Sequence, residues 1–358
     1  MTIRVLIVDD SALMRALITR KLAADPQIEV VAAAPNAAEA RSLIKALDPD
    51  VVTLDIEMPG MDGLSFLEKI MQLRPTPVIV VSGSTGPGAE ATARALSLGA
   101  VACYAKSSGV GSLADDDGGR LIALVREAAQ VRLRAPPSAQ TRPRARAPSA
   151  ALHRSLGPPQ GRPGLIAFGS STGGVEALHT VLSQFPADCP PTLVVQHINA
   201  CFAAAIARSL DAATKARVAL AQPDRPLVRG EILIAPGDGG HLTIKASANG
   251  GWRCRLRSGE PVSGHCPSVD ALFHSVALEA GPVACGILLT GMGQDGAEGL
   301  LAMRRAGAET IAQDEASCVV FGMPRAAIQR GAARHILPLD QIGRHLLRIA
   351  PNIPCKAS

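Results

Sequence analysis

Four apolar residues run straight into two carboxylates at Val5-Leu6-Ile7-Val8-Asp9-Asp10. An unbroken apolar run of this kind reads as a strand buried on both faces, as in parallel sheets. A second run, Val51-Val52-Thr53-Leu54, delivers Asp55 at its end. A third, Val78-Ile79-Val80-Val81, ends on Ser82, and a weaker fourth run precedes Lys106. Parallel strands of an open α/β sheet end on one shared edge, so these side chains can meet there. Such a set suits a hard divalent cation held by oxygen ligands, beside a carboxylate able to accept a phosphoryl group.

The elements around these runs alternate. Ser11 caps a helix through about Ala24, Ile28–Ala33 reads as a strand, and Asn36 with Glu39 resembles a capping box. Leu64–Leu73, Ala89–Leu98 and Leu121–Leu133 read as helices, with Val101–Ala105 as the last strand and a loop over 59–63. Five β/α units predict a flavodoxin-like, five-stranded parallel sheet. From Gly164 the alternation returns: Leu165–Phe168, Thr192–Gln196, Glu231–Ala235 and Gly286–Thr290 as strands, Val175–Gln184 and Gly296–Arg305 as helices. Leu242–Lys245 and Trp252–Leu256 predict a hairpin around Asn249-Gly250-Gly251. The fold class expected is therefore α/β twice over, the second unit doubly wound and Rossmann-like. The expected division is 1–125, a Pro/Arg-rich linker at 126–162, and 163–352; no internal repeat is visible.

Composition narrows the function classes. The net charge of +5 is misleading, because residues 132–162 hold seven Arg and no acid, leaving the remainder at −2. With only eight aromatic residues there is little to stack on bases, so no nucleic-acid partner is expected. No apolar stretch reaches the ~20 residues a membrane helix needs. The amino terminus does not read as a signal peptide. Eight cysteines without a C-x-x-C pair suggest reduced thiols and a cytoplasmic protein rather than a zinc site or disulfide framework.

Asp9-Asp10, Asp55, Ser82 and Lys106 at these strand ends resemble the receiver domain of bacterial response regulators. The resemblance implies that Asp55 receives phosphate from a histidine kinase. It implies that Asp9, Asp10 and Asp55, with the backbone carbonyl of Glu57, hold Mg²⁺, and that Ser82 and Lys106 contact the phosphoryl oxygens. Two positions depart from that pattern: Ser107 follows the lysine where Pro is usual, and Cys103 stands where an aromatic is usual, with Tyr104 one place later.

A second constellation lies downstream. Gly169-Ser170-Ser171-Thr172-Gly173-Gly174 follows a strand, precedes a helix and satisfies G-x-S-x-G, which exposes Ser171 near the positive end of a helix dipole. A serine nucleophile needs a base. His197 ends the strand Thr192–Gln196 and should project at the same edge; His265, in a loop, is second choice, and His179 lies inside a helix. Asp295, after the strand Gly286–Thr290, can orient the histidine in the manner of a triad.

Gly169–Gly174, Val195-Gln196-His197, Ser268-Val269-Asp270, Leu289–Gly293 with Asp295-Gly296, and the run Ala312–Pro324 together look like the catalytic domain of the chemotaxis protein-glutamate methylesterases, the CheB family. Both units and their order match. The resemblance implies a triad of Ser171, His197 and Asp295 with the Met292 N–H at the oxyanion. It implies hydrolysis of glutamate methyl esters and of specific glutamine amides on methyl-accepting chemotaxis receptors, with no cofactor for hydrolysis and only peripheral contact with membrane receptors. Cys266 replaces the family's usual Arg. Two rivals exist. Gly291-x-Gly293-x-x-Gly296 with Asp314 also fits a dinucleotide fingerprint, though Asp295 would repel a pyrophosphate. Alternatively, the second unit only docks a partner. Which receptors are substrates, which pathway is served, the resting interface and the oligomeric state are not legible in the residues.

Overall fold

The computed structural model describes residues 2–58, 63–83, 87–106, 119–131, 164–237, 240–248 and 250–348. Most of the loop expected at 59–63, Ser107, the turn residue Asn249 and residues 132–162 of the expected linker lie outside the described residues.

The first unit runs β1 (Ile3–Val8), α1 (Ala12–Leu22), β2 (Ile28–Ala34), α2 (Ala37–Leu47), β3 (Val51–Asp55), α3 (Gly63–Leu73), β4 (Val78–Gly83), α4 (Pro87–Ser97), β5 (Ala102–Lys106) and α5 (Arg120–Ala128). Its strands pair in parallel in the order β2-β1-β3-β4-β5, the flavodoxin-like order. Caps expected from the sequence are in place: Ser11 Oγ accepts from Met14 N at 3.3 Å, and Asn36 Oδ1 accepts from Glu39 N at 2.9 Å. α5 straddles position 125, and Leu121, Val125 and Ala128 bury its inner face.

The second unit runs β6 (Leu165–Ser170), α6 (Gly174–Leu182), β7 (Thr192–Gln196), α7 (Ala200–Ala213), β8 (Arg217–Leu220), β9 (Glu231–Ile234), β10 (His241–Ala246), β11 (Trp252–Arg257), α8 (Val269–Glu279), β12 (Ala284–Leu288), α9 (Ala297–Arg305), β13 (Glu309–Gln313), α10 (Met323–Gln329), β14 (His335–Leu337) and α11 (Leu339–Arg348). Seven strands form one parallel sheet, β14-β13-β12-β6-β7-β9-β8, with β10 and β11 as a separate antiparallel hairpin. The order reverses around β6, so the ends of β6, β7 and β12 share the crevice where ligands bind in such sheets. The strand expected at Gly286–Thr290 is Ala284–Leu288; Leu289 N still donates to Gly169 O at 2.9 Å and Thr290 O accepts from Ser171 N at 3.0 Å before the chain enters the loop that bears Asp295.

The units pack together. Ala89, Ala93 and Leu96 of α4 belong to one buried cluster with Phe202, Ala205 and Ile206 of α7. Arg208 Nε donates to Glu90 Oε1 at 2.6 Å across this contact, and Gly173 N donates to Val101 O at 3.3 Å. Val320 is buried in the first unit's other apolar cluster, with Met292 and Val319 packed against it.

Gly169 shows how tightly β6 and α8 meet. A Cβ there would fall 2.2 Å from Val269 Cγ1 and 3.0 Å from Leu288 Cδ1. Gly169→Ala is expected to destabilise the second unit by about 1–3 kcal/mol through overpacking. Denaturant unfolding of the variant checks this, and an unchanged midpoint would show that the contact yields freely.

Candidate active site and acidic site

Ser171 sits just past β6, where Gly173 (φ 73°) starts α6 in a backbone conformation that L side chains rarely adopt. Gly174 has no room for a side chain: a Cβ would stand 2.2 Å from Gln196 Oε1. Gln196 ties the two strand ends together. Its Oε1 accepts from Ser170 Oγ at 2.6 Å, and its Nε2 donates to Ser171 O at 2.8 Å and His197 O at 3.1 Å. His197 N in turn donates to Ser170 O at 3.0 Å, so Ser171 and His197 leave neighbouring strands from one locked corner.

His197 Nε2 lies 2.8 Å from Asp295 Oδ2. Asp295 is 1% exposed, and α8 supplies the rest of its shell. Ser268 Oγ donates to Oδ1 at 2.7 Å, Asp270 N to Oδ1 at 2.9 Å and Val269 N to Oδ2 at 2.8 Å. Burial alone would raise the Asp295 carboxyl, but the His197 hydrogen bond and charge, with the α8 amides, hold it below the usual carboxylate range. The turn that matched a dinucleotide fingerprint thus has its carboxylate fully engaged inside the fold. Met292 follows a close approach: a Cβ on Gly291 would fall 2.7 Å from Ser171 Cβ.

His197 Nδ1 is buried and has no hydrogen-bond partner among the described residues, so none joins it to the Ser171 hydroxyl. The His265 ring stacks on His197 at 3.8 Å with 9° between planes. Burial, with the neighbouring His197 charge, pushes the His265 pKa down to about 4, so it is a poor base near neutrality. His179 is engaged elsewhere, with Ser209 Oγ at 3.1 Å. Ser171, Thr172, His197 and His265 line one cavity of about 450 Å³, whose opposite wall is Val101, Cys103 and the outer face of α5.

The first unit gathers its acids as expected. Asp9, Asp10 and Asp55 bring a carboxylate oxygen each within 4.8 Å of one another. Lys106 Nζ lies 2.6 Å from Asp55 Oδ2 and 3.2 Å from Asp9 Oδ2. Burial raises the Asp9 carboxyl, which the Lys106 charge offsets in part and Asp55 reinforces. Burial lowers Lys106, but its bonds to Asp55 and the two carboxylate charges outweigh that and raise it. Asp9 Oδ2 is buried with no partner of hydrogen-bond geometry, despite the nearby ammonium. A buried, under-satisfied oxygen among three acids fits a hard cation. Glu57 N donates to Asp55 Oδ1 at 3.0 Å, which folds the Glu57 backbone back over the acid. Ser82 is the member that stands apart: its Oγ donates to Gly88 O at 3.1 Å instead of facing Asp55.

Sequence reasoning missed three contributors. Gln196, Ser268 and the α8 amides hold the triad-like group without reacting. A buried glutamine ending a strand and a serine two residues before Asp270 were the available signals.

Residues 166–346 match the family model described as CheB methylesterase, and residues 5–116 match the response regulator receiver domain. A Caulobacter vibrioides protein named protein-glutamate methylesterase/protein-glutamine glutaminase 1 is 52% identical over 348 residues, covering 97% of this chain and 98% of that protein. An Agrobacterium fabrum protein named protein-glutamate methylesterase/protein-glutamine glutaminase is 49% identical over 353 residues, covering 97% and 96%. The crystal structure of the Thermotoga maritima CheB methylesterase catalytic domain superposes with a TM-score of 0.51 at 31% identity, covering 53% of this chain and 99% of that one. With the receiver and catalytic units in the same order, and half-identical relatives aligned along nearly their whole length, this chain belongs to the CheB methylesterase family.

Proposed function

We propose that this chain is a phosphorylation-activated serine esterase that demethylates glutamate methyl esters, and deamidates specific glutamines, on methyl-accepting chemotaxis receptors. The observation that carries this is the His197–Asp295 pair at 2.8 Å, held at the same crevice as Ser171. Nε2 of His197 is committed to Asp295, so Nδ1 is the nitrogen left to take the Ser171 proton. Ser171 Oγ then attacks the ester carbonyl, and His197 returns the proton to the departing methoxide, which leaves as methanol. Water, deprotonated by the same imidazole, releases the glutamate carboxylate and restores Ser171. An amide substrate follows the same course with ammonia leaving. The Met292 N–H is the proposed donor to the oxyanion, a role typically worth ~10²–10³ in rate.

Phosphorylation from a histidine kinase is proposed at Asp55. Asp9, Asp10 and Asp55, with the Glu57 carbonyl, would hold Mg²⁺, which supplies charge neutralisation at the incoming phosphoryl group when bound. Lys106 is already poised at 2.6 Å, and Ser82 would have to leave Gly88 O to reach a phosphoryl oxygen. Chemically the hydrolytic site asks for no cofactor. The receiver covers the Ser171 crevice, which supports autoinhibition relieved by phosphorylation. A shift from mostly closed to mostly open needs a few kcal/mol of differential stability. β5 links the two sites, since Lys106 ends it and Val101, whose carbonyl holds Gly173 N, precedes it. Among the described residues no helix is long and apolar enough to cross a membrane. That agrees with a cytoplasmic enzyme meeting its receptors peripherally.

Ser171→Ala is expected to lower methanol release from methylated receptor by roughly 10⁴-fold or more. Ser170→Ala should retain most activity, having lost only a hydrogen bond to Gln196; equal losses in the two would exclude Ser171 as nucleophile. Asp295→Asn should reduce kcat by roughly 10⁴-fold while leaving KM nearly unchanged, because His197 loses its orienting anion. A KM effect alone would contradict this role. Stimulation by a small phosphodonor should vanish in Asp55→Asn and on chelation of Mg²⁺, and return with added Mg²⁺ only in the parent chain. Persistent stimulation in Asp55→Asn would place the phosphoacceptor elsewhere.

A further inference from the structure

Glu127 is a carboxylate that the mechanism above does not use, yet it stands in the catalytic cavity. It comes from α5 of the receiver. Leu121, Val125 and Ala128 of that helix face its own core. Arg120, Ala123, Leu124 and Glu127, spaced at i, i+3, i+4 and i+7, line the cavity shared with Ser171 and His197. Thr172, next to the proposed nucleophile, donates its Oγ1 hydrogen to Glu127 Oε2 at 3.2 Å. Burial raises the Glu127 carboxyl, and the Thr172 hydrogen bond and the His197 and Arg120 charges only partly offset this. Among the described residues no Lys or Arg forms an ion pair with it. Inserting such a side chain between domains costs desolvation, which an apolar residue would avoid.

Taking the esterase activity proposed above as given, the substrate side chain is a glutamyl ester and the product a glutamate. We infer that Glu127 is a built-in product mimic: in the resting chain its side chain occupies the position of the receptor glutamate, with Thr172 as the residue that positions the substrate's carbonyl group. The receiver then competes with substrate by presenting the product's side chain, in addition to blocking access. Opening the domains withdraws Glu127 and hands Thr172 to the receptor.

Glu127→Gln tests this within the intact chain, because it converts the mimic into an amide substrate held in cis. Ser171 Oγ would add to the side-chain carbonyl of the introduced amide, and the proton taken by His197 would leave with ammonia. Water would then cleave the acyl-serine ester, giving Glu127 and free Ser171. The variant is incubated without phosphodonor and the peptide bearing residue 127 is followed by mass spectrometry. In parallel, the same preparation is assayed for methanol release from methylated receptor after adding phosphodonor and Mg²⁺. Expected is progressive loss of the amide at residue 127, absent when Ser171→Ala is combined with Glu127→Gln. A preparation that releases methanol but keeps the introduced amide intact would overturn the mimic and leave the esterase standing. If it neither releases methanol nor loses the amide while the parent chain also fails, Ser171 is not an esterase nucleophile and the mimic falls with it.

Discussion

The Asp295 carboxylate at the amino end of α8 is the contact on which the catalytic corner depends. Two oxygens accept four hydrogen bonds, from Ser268 Oγ, Val269 N, Asp270 N and His197 Nε2. Helix amides satisfied by a carboxylate lower its pKa and fix its position, so a buried negative charge becomes tolerable. The charge in turn sets which nitrogen of His197 is free. Asp270 works behind it: its own carboxylate takes Ser263 Oγ at 2.9 Å and Gly299 N at 2.7 Å, which ties α8 to α9. Two acids this close would repel if both were left bare. Each has its own donors instead, and Asp270 bears the burial cost as a raised pKa.

The second constraint is that both units use the same physical device. Each places its candidate site residues at the carboxyl ends of parallel strands, where apolar runs stop and polar groups can meet without interrupting the ladder. In the receiver this gathers Asp9, Asp55 and Lys106; in the catalytic unit it gathers Ser171, His197 and the loop of Asp295. The receiver meets the catalytic crevice through α4, β5 and α5, the elements beside its own acidic site. Events at Lys106 are thus one short strand away from the Val101–Gly173 hydrogen bond.

Much of this was legible in the residues because strand ends announce themselves. Apolar runs closed by Asp9, Asp55 or His197 carry their own geometry, and the caps at Ser11 and Asn36 follow from short-range hydrogen bonding. What the pattern could not carry was partnership between distant segments. α7 is alanine-rich and buried on much of its surface, so its periodicity is faint, and the sequence pattern gives no expectation of a helix at α8. Its amides therefore could not be assigned to Asp295. Ser82 was expected to face the acids, yet a nearer acceptor, Gly88 O, takes its hydroxyl proton. Nothing in the sequence pattern around Glu127 marks it as part of a site. Only the packing of that helix against residues 45 positions away gives it a role.

The central claim is that Ser171 becomes acylated and that the receiver governs its access. Acid-quenched mass spectrometry during turnover of methylated receptor tests both at once. The substrate acyl group should appear as an ester on the Ser171 peptide, with an occupancy that rises when phosphodonor and Mg²⁺ are present. Sustained methanol release with that peptide always unmodified and the acyl group on another residue would contradict it.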